Sequence, residues 1–585
     1  MFLKNILATL VALTIFTGGI FIFLLIGIGI LSSTSEQAID IADNSILHLK
    51  LDRPILERSV EGPFGEIVVF GGQSPGMGLK ELTDAIRRAA EDDRIQGIYM
   101  EPNFLYSGLA KLYELRSELE SFKETGKFII AFSEYYTESE YYLASVADEV
   151  YLPEEGMLEF NGFRAEYNFL KGTFDKLGIE VQVFKAGDYK SSVEPFTRTG
   201  MSEESREQTV ALLESVYATY LDDVARTRGV AKEQLKLVAD SMLATSAKNA
   251  LKYSLITDTK YKDQVIEELK ELTEIDSSEN LKSIGPSSYL TSTSSLYHGS
   301  KKIAVVFANG EIDNGEGNRE NIGSESLSKQ LRKLRTDDGI EAVVLRVNSP
   351  GGSSLASDVI WREVMKTSEV KPIIASLSDI AASGGYYMAM ACDSIVAQPM
   401  TITGSIGAYS MHFSAKELLE DKVGITTEVV KTGPLSDIFT VARPFTDYEV
   451  QMFQKSANET YQTFISKAAD GRDMTIDDID AVASGRIWSG SQAKDNGLVD
   501  ALGGLDTAVS LAAQAAGLED GDYRVRYYPP QKSFWEQLIS DLGGGFEESR
   551  MEAKLGKFYP LVQKIKNIQN YQGLQTRLPF DIVIQ

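Results

Sequence analysis

Val343-Val344-Leu345-Arg346-Val347 runs directly into the turn Asn348-Ser349-Pro350-Gly351-Gly352, and a pattern of helical period follows from Ser357 to Lys366. A short β-branched run, a glycine turn and an amphipathic stretch together open a βαβ unit. The unit recurs at once, with the run Ile373 to Leu377, the turn Ala381-Ala382-Ser383-Gly384-Gly385 and an apolar helix-like stretch from Tyr386. Such alternation implies an α/β fold built on largely parallel sheets.

Working outward, the chain matches itself at a period of about 245 residues, the signature of an internal duplication. Asp92-Asp93-Arg94-Ile95 falls on Asp337-Asp338-Gly339-Ile340, and Phe128-Ile129-Ile130-Ala131 on Pro372-Ile373-Ile374-Ala375. Tyr141-Tyr142-Leu143-Ala144 falls on Tyr386-Tyr387-Met388-Ala389, and Val183-Phe184-Lys185-Ala186-Gly187 on Val429-Val430-Lys431-Thr432-Gly433. Helical patterns at Leu79 to Ala90 and Leu327 to Leu334 fit the same scheme. The expected organisation is one repeat over 44–275, a polar Ser/Thr/Lys-rich linker over 276–300, a second repeat over 301–520 and an extension over 521–585. The extension carries Trp535, Phe546 and Phe558 among charges, which suits a cover for the second repeat, a membrane contact or a subunit contact.

At 585 residues, with 43% hydrophobic and 24% charged residues, two large globular domains are expected. The net charge of −26 would repel phosphate backbones, so nucleic acid is not an expected partner. The single cysteine, Cys392, sits in an apolar run and reads as a small core residue. After Lys4 no charged residue occurs until Glu36, and Ile6 to Leu31 is almost wholly apolar. That length suits a membrane span, and the stretch is too long for a cleavable signal peptide, so residues 1–35 read as a retained signal anchor. Lys4 before the span and Glu36, Asp40 and Asp43 after it put the N-terminus in the cytoplasm and the bulk of the chain outside it.

The two glycine turns of the second half mark a candidate site. Each lies between a strand and a helix N-terminus, where backbone N–H groups favour negative charge. Ser383 could attack a carbonyl there, with the N–H groups of Gly384 and of Gly351 or Gly352 stabilising the oxyanion; the plainer alternative is that Ser383 caps a helix. The first half has Tyr106-Ser107-Gly108 and Glu138-Ser139-Glu140 at the corresponding places. A histidine base is poorly provided for, because only His48, His298 and His412 exist, and no metal-binding or phosphate-loop motif occurs. A buried lysine can be neutral enough to act as base. The Ser-x-x-Lys spacings at Ser326/Lys329, Ser368/Lys371 and Ser491/Lys494 lie on helix-like surfaces and read as coincidence. Lys190, in Gly187-Asp188-Tyr189-Lys190-Ser191-Ser192, is where the second half has Ser436; from the residues alone it reads as base or as exposed structural lysine.

The segments AGDYKSSVEPF, NSPGG, AASGGYY and TGSIG (Thr403 to Gly407), in that order, resemble the signal peptide peptidase A (protease IV) family in its long, duplicated bacterial form. The resemblance implies Ser383 as nucleophile, Lys190 as general base and Ser405 as the hydroxyl that orients the lysine. It implies tandem α/β spiral domains like those of the Clp protease and crotonase superfamily, following one N-terminal transmembrane helix. A bowl-shaped homo-oligomer, a tetramer, is implied too, with remnant signal peptides and other unfolded apolar peptides as substrates and no metal or nucleotide cofactor. The implied location is the bacterial inner membrane, single-pass, with the catalytic domains periplasmic. A crotonase-like acyl-CoA enzyme and an inactive scaffold are the competing expectations. Since one half keeps the lysine and the other the serine, an active site shared between the repeats is expected.

Overall fold

The computed structural model describes residues 13–14, 16–19, 40–59, 76–294, 298–318, 321–519, 521–530 and 574–577. Among them no helix is long and apolar enough to cross a membrane. The expected anchor stretch lies almost wholly outside the described residues, as do Trp535, Phe546 and Phe558.

The duplication appears as two sheets of matching order, parallel in the six strands they have in common. In the first, Asp258–Thr259, Glu149–Leu152, Phe128–Phe132, Ile95–Pro102, Ser45–Leu51 and Ser283–Ile284 lie side by side. In the second, Ala501–Leu502, Ser394–Ala397, Ile373–Ala382, Ala342–Ser349, Lys301–Asn309 and Tyr523–Tyr528 follow the same succession, and the short strands Ile402–Gly404 and Ile487–Ser489 continue it beyond the end of Ile373–Ala382. Buried parallel strands need apolar side chains on both faces, which is why Ala342 to Val347 reads as an almost unbroken hydrophobic run. The sheets reach past the expected repeat limits: Ser283–Ile284 lies within 276–300 and Tyr523–Tyr528 within 521–585.

Helices cover the sheets with the periodicity read from sequence. Leu79–Glu91 buries Leu79, Leu82, Ala85, Ile86 and Ala89, and its counterpart Ser324–Arg335 buries Leu327, Leu331 and Leu334. The long helices Glu203–Arg228 and Asp447–Arg472 have 26 residues each. Both begin at a side-chain cap, Ser202 and Thr446, and both end at a left-handed residue, Gly229 and Asp473.

A third sheet joins the halves and places the site. Glu180–Ala186 of the first half pairs antiparallel with Ala408–Ser414 of the second over its whole length. The first-half core also takes in Ala382, Met400, Ile402 and Ile487, so the repeats share packed apolar surface. The fourth block of sequence similarity is not matched in structure, because residues 429–432 are exposed and 429–433 forms no strand. Cys392 is buried, in keeping with a core residue.

Candidate active site

Ser383 stands between the strand Ile373–Ala382 and the helix Gly384–Ala389 with φ 55° and ψ −113°. A non-glycine residue in that region is strained, and such strain persists where the surroundings over-determine it. The Ser383 N–H donates to the Gly404 carbonyl at 2.7 Å, and its carbonyl accepts from the Tyr387 N–H at 2.8 Å. Its side chain makes no capping hydrogen bond, so the helix-cap alternative does not hold.

Lys190 is delivered from the other repeat. The strand Glu180–Ala186 ends at Gly187, whose φ of 109° turns the chain toward Ser484–Arg486. There the Asp188 N–H donates to Ser484 Oγ at 2.9 Å, and the Tyr189 N–H to the Ser484 carbonyl at 2.9 Å. From the helix Glu203–Arg228, the buried Gln208 amide donates to the Tyr189 carbonyl at 3.0 Å and to Ser191 Oγ at 2.8 Å. Its carbonyl oxygen accepts from the Ile487 N–H at 3.1 Å.

These supports bring together residues 193 positions apart. Lys190 Nζ lies 2.7 Å from Ser383 Oγ, 2.9 Å from the Ser405 carbonyl and 3.0 Å from Ser405 Oγ. All three residues are fully buried. Burial pushes the Lys190 ammonium well below the ordinary lysine value, because the charged form loses its hydration. The expected glycines also meet here. A Cβ on Gly351 would stand 2.7 Å from the Gly384 nitrogen, so only glycine leaves that N–H open to a ligand. Gly351 takes φ +99°, and its own N–H donates to Ser349 Oγ at 3.2 Å. At Gly352 a Cβ would meet the Ile312 carbonyl oxygen at 2.1 Å, which reflects close strand packing.

Other titratable candidates are engaged elsewhere. His412 stacks on Phe445 with ring centroids 3.9 Å apart, and His48 lies 3.2 Å from Glu101. Lys431 is ion-paired with Asp437 at 2.6 Å, and Ser436 is exposed. At the first-half position matching the nucleophile turn, buried Glu138 accepts from the Asn161 and Gly162 N–H groups at 2.9 and 2.6 Å, and burial pushes its carboxyl up to about 7.

Sequence reading passed over Gln208 and Gly485. Gly485 has φ +82°, and a Cβ there would lie 2.6 Å from the Lys190 backbone nitrogen. Its only trace in sequence is a Ser-Gly pair before an apolar run, an ordinary turn signal. Gly485→Ala is expected to displace the lysine and lower kcat/KM by about a hundredfold, as misplacement of about 1 Å can; steady-state kinetics on a peptide substrate measures it. Ser405→Ala removes a hydrogen bond from a group that becomes charged in the reaction. At about 1.5–3 kcal/mol for such a bond, kcat should fall roughly 10- to 100-fold with KM little changed.

The profile of peptidase family S49 matches residues 121–276 and 365–519, one copy in each half. The chloroplastic serine protease SPPA of Arabidopsis thaliana is 37% identical over 451 residues, covering 76% of this chain and 66% of that one. Protease 4 of Salmonella typhi is 33% identical over 556 residues, 91% of this chain and 88% of its own. Protease 4 of Haemophilus influenzae is 32% identical over 520 residues, 85% and 82% of the two chains. With a family copy in each half and relatives of this length, the acyl-CoA enzyme and the inactive scaffold give way: the chain belongs to peptidase family S49, in its duplicated form, and is a serine protease.

Proposed function

We propose that the protein hydrolyses peptide bonds with Ser383 as nucleophile, Lys190 as general base and Ser405 as the group that orients the lysine. The observation that carries this is the 2.7 Å approach of a fully buried lysine amine to a strained serine hydroxyl. A neutral amine has two N–H groups and one lone pair. Two of its three neighbours are the carbonyl and hydroxyl of Ser405, which can accept both N–H groups, and the lone pair is left for the Ser383 O–H.

In the forward step Lys190 takes the Ser383 proton as Oγ bonds to the substrate carbonyl carbon, and the oxyanion develops beside the Gly384 N–H. The C–N bond then breaks, and the leaving amine departs with the proton held by Lys190. Water, deprotonated by Lys190, attacks the ester and returns Ser383. Each site draws its base from repeat 44–275 and its nucleophile from repeat 301–520.

The substrates are remnant signal peptides and other unfolded apolar peptides. One relative's name, the putative signal peptide peptidase of Enterococcus faecium, 36% identical over 225 residues, supports that class. A single N-terminal span at 1–35 holds the enzyme to the bacterial inner membrane, catalytic domains outward, as a homo-oligomer. A serine-directed fluorophosphonate tests the chemistry: mass mapping should find the adduct on Ser383, and labelling elsewhere or not at all overturns the assignment.

A further inference from the structure

Residues 187–190 lie between the strand Glu180–Ala186 and a single 3₁₀ turn, Ser191–Val193, so neither a ladder nor a helix fixes the place of Lys190. Besides the Ser484 contacts, the helix Glu203–Arg228 holds them through two adjacent residues, Glu207 and Gln208. Each reaches the same two segments, the lysine turn of the first repeat and residues 486–487 of the second. Glu207 accepts from the Tyr189 hydroxyl at 2.9 Å and from the Arg486 guanidinium at 2.8 Å. That guanidinium also stands over the Tyr189 ring, 4.8 Å from its centroid. Behind this exposed clamp, Gln208 grips the main chain at the Tyr189 carbonyl and the Ile487 N–H.

The partners of the Gln208 amide fix its orientation. Only its NH₂ can face the Tyr189 carbonyl and only its oxygen the Ile487 N–H, and the second N–H goes to Ser191 Oγ. Gln208 is fully buried, so each bond it loses strands a polar group away from water. The Tyr189 carbonyl belongs to the peptide that leads into Lys190, and Ser191 follows it, so the base is pinned on both sides. The segment across the clasp holds the lysine's other neighbour. The Arg486 carbonyl accepts from the Ser405 N–H at 2.7 Å, and the Gly485 N–H donates to the Ile406 carbonyl at 2.7 Å. Both loops that meet at the Lys190 amine are thus fastened to one helix. Farther along that helix, Ser215 Oγ lies 2.7 Å from Ser489 Oγ, a contact outside the clasp.

We propose that Glu207 and Gln208 are positioning residues that set where Lys190 stands against Ser383 and Ser405, Gln208 through the main chain and Glu207 through the clamp on Tyr189 and Arg486. The inference deepens the reading of Lys190 as general base and rests on it. Neither side chain touches the reacting atoms. Loosening the clasp moves the amine off Ser383 Oγ and admits water to it, which favours the charged lysine. The loss therefore falls on kcat rather than KM, and the pH at which the rate rises moves upward.

Steady-state kinetics on a peptide substrate, followed across pH, tests this. Gln208→Leu should lower kcat about 10- to 100-fold, within what a misplacement of about 1 Å costs. KM should change little, and the rising limb of kcat/KM should move to higher pH. Glu207→Ala, at an exposed position where the fold is not at stake, should lower kcat about three- to fivefold. Glu207→Gln, which keeps an oxygen for the Tyr189 hydroxyl, should recover part of that loss. Ser215→Ala should keep the wild-type kcat and limb. Wild-type kcat with an unmoved limb in both Gln208→Leu and Glu207→Ala overturns the proposal, as does a loss carried by KM alone or an equal loss in Ser215→Ala. If the wild-type profile has no rising limb, the reading of Lys190 as base has failed, and the inference falls with it.

Discussion

Replacing Lys190 by arginine is expected to lower kcat/KM by about 10²- to 10⁴-fold, the usual worth of a general base, and to be as damaging as Lys190→Ala. Guanidinium stays protonated at any working pH and has no lone pair to offer Ser383. In the wild type, kcat/KM should rise with pH through the depressed lysine value, because only the neutral amine can take the serine proton; an active arginine variant or a flat profile would point to another base. The same shift acts on stability. Between the depressed folded value and the ordinary 10.5 the unfolded chain binds more protons, so this group makes stability rise with pH. Lys190→Met should therefore resist urea better than wild type at neutral pH, with the advantage shrinking as pH approaches 10.5.

Arg346→Met is expected to destabilise the protein by about 3–5 kcal/mol, through the carboxylates it strands rather than the volume it changes. The fully buried guanidinium donates to Glu57 and Glu114 at 2.8 Å each and to Ser376 Oγ at 2.9 Å. Glu114 in turn accepts from the Leu505 N–H at 2.8 Å, and Lys111 holds Asp379 at 3.0 Å. These residues come from both repeats, so the network is part of what seats one repeat on the other. Burial alone would raise the Glu57 carboxyl, but Arg346, Lys111 and the Ser378 hydroxyl outweigh it and hold it below the ordinary value. Its contribution is present above the unfolded value and lost as pH falls through the folded one. In the variant Glu57 loses its main counter-charge and is protonated more readily, so the loss in urea midpoint should be largest near pH 7 and smaller near about pH 5. An unchanged midpoint at both pH values would show that the network carries no net stability.

Much of the fold was legible because local physics carries it. β-Branched runs such as Ala342 to Val347 and Ile373 to Leu377, and helical periods such as Leu79 to Ala90, are properties of neighbours in the chain. The strand order then follows the duplication: Phe128–Phe132 beside Ile95–Pro102 recurs as Ile373–Ala382 beside Ala342–Ser349. Val429–Gly433 misled because resemblance to the Val183–Gly187 segment says nothing about whether a partner strand remains. For the site, the glycine turns and the serine within the second of them were readable, since glycine at φ +99° answers a local demand. Gln208 and Gly485 were not, because each matters only through what lies across from it.

By itself, then, the sequence determined the duplicated parallel α/β architecture, the serine at a strand-to-helix turn and the family to which both belong. Those features depend on residue type and short-range spacing. Only the tertiary structure decided that Lys190 rather than Lys431 reaches Ser383, because a lysine becomes a base when burial strips its hydration. That burial is assembled from Gly485, Ser405 and Gln208, which lie in separate segments of the two repeats. The same holds for Arg346: a charge within an apolar strand is uninterpretable until folding brings Glu57 and Glu114 to it from 289 and 232 residues away.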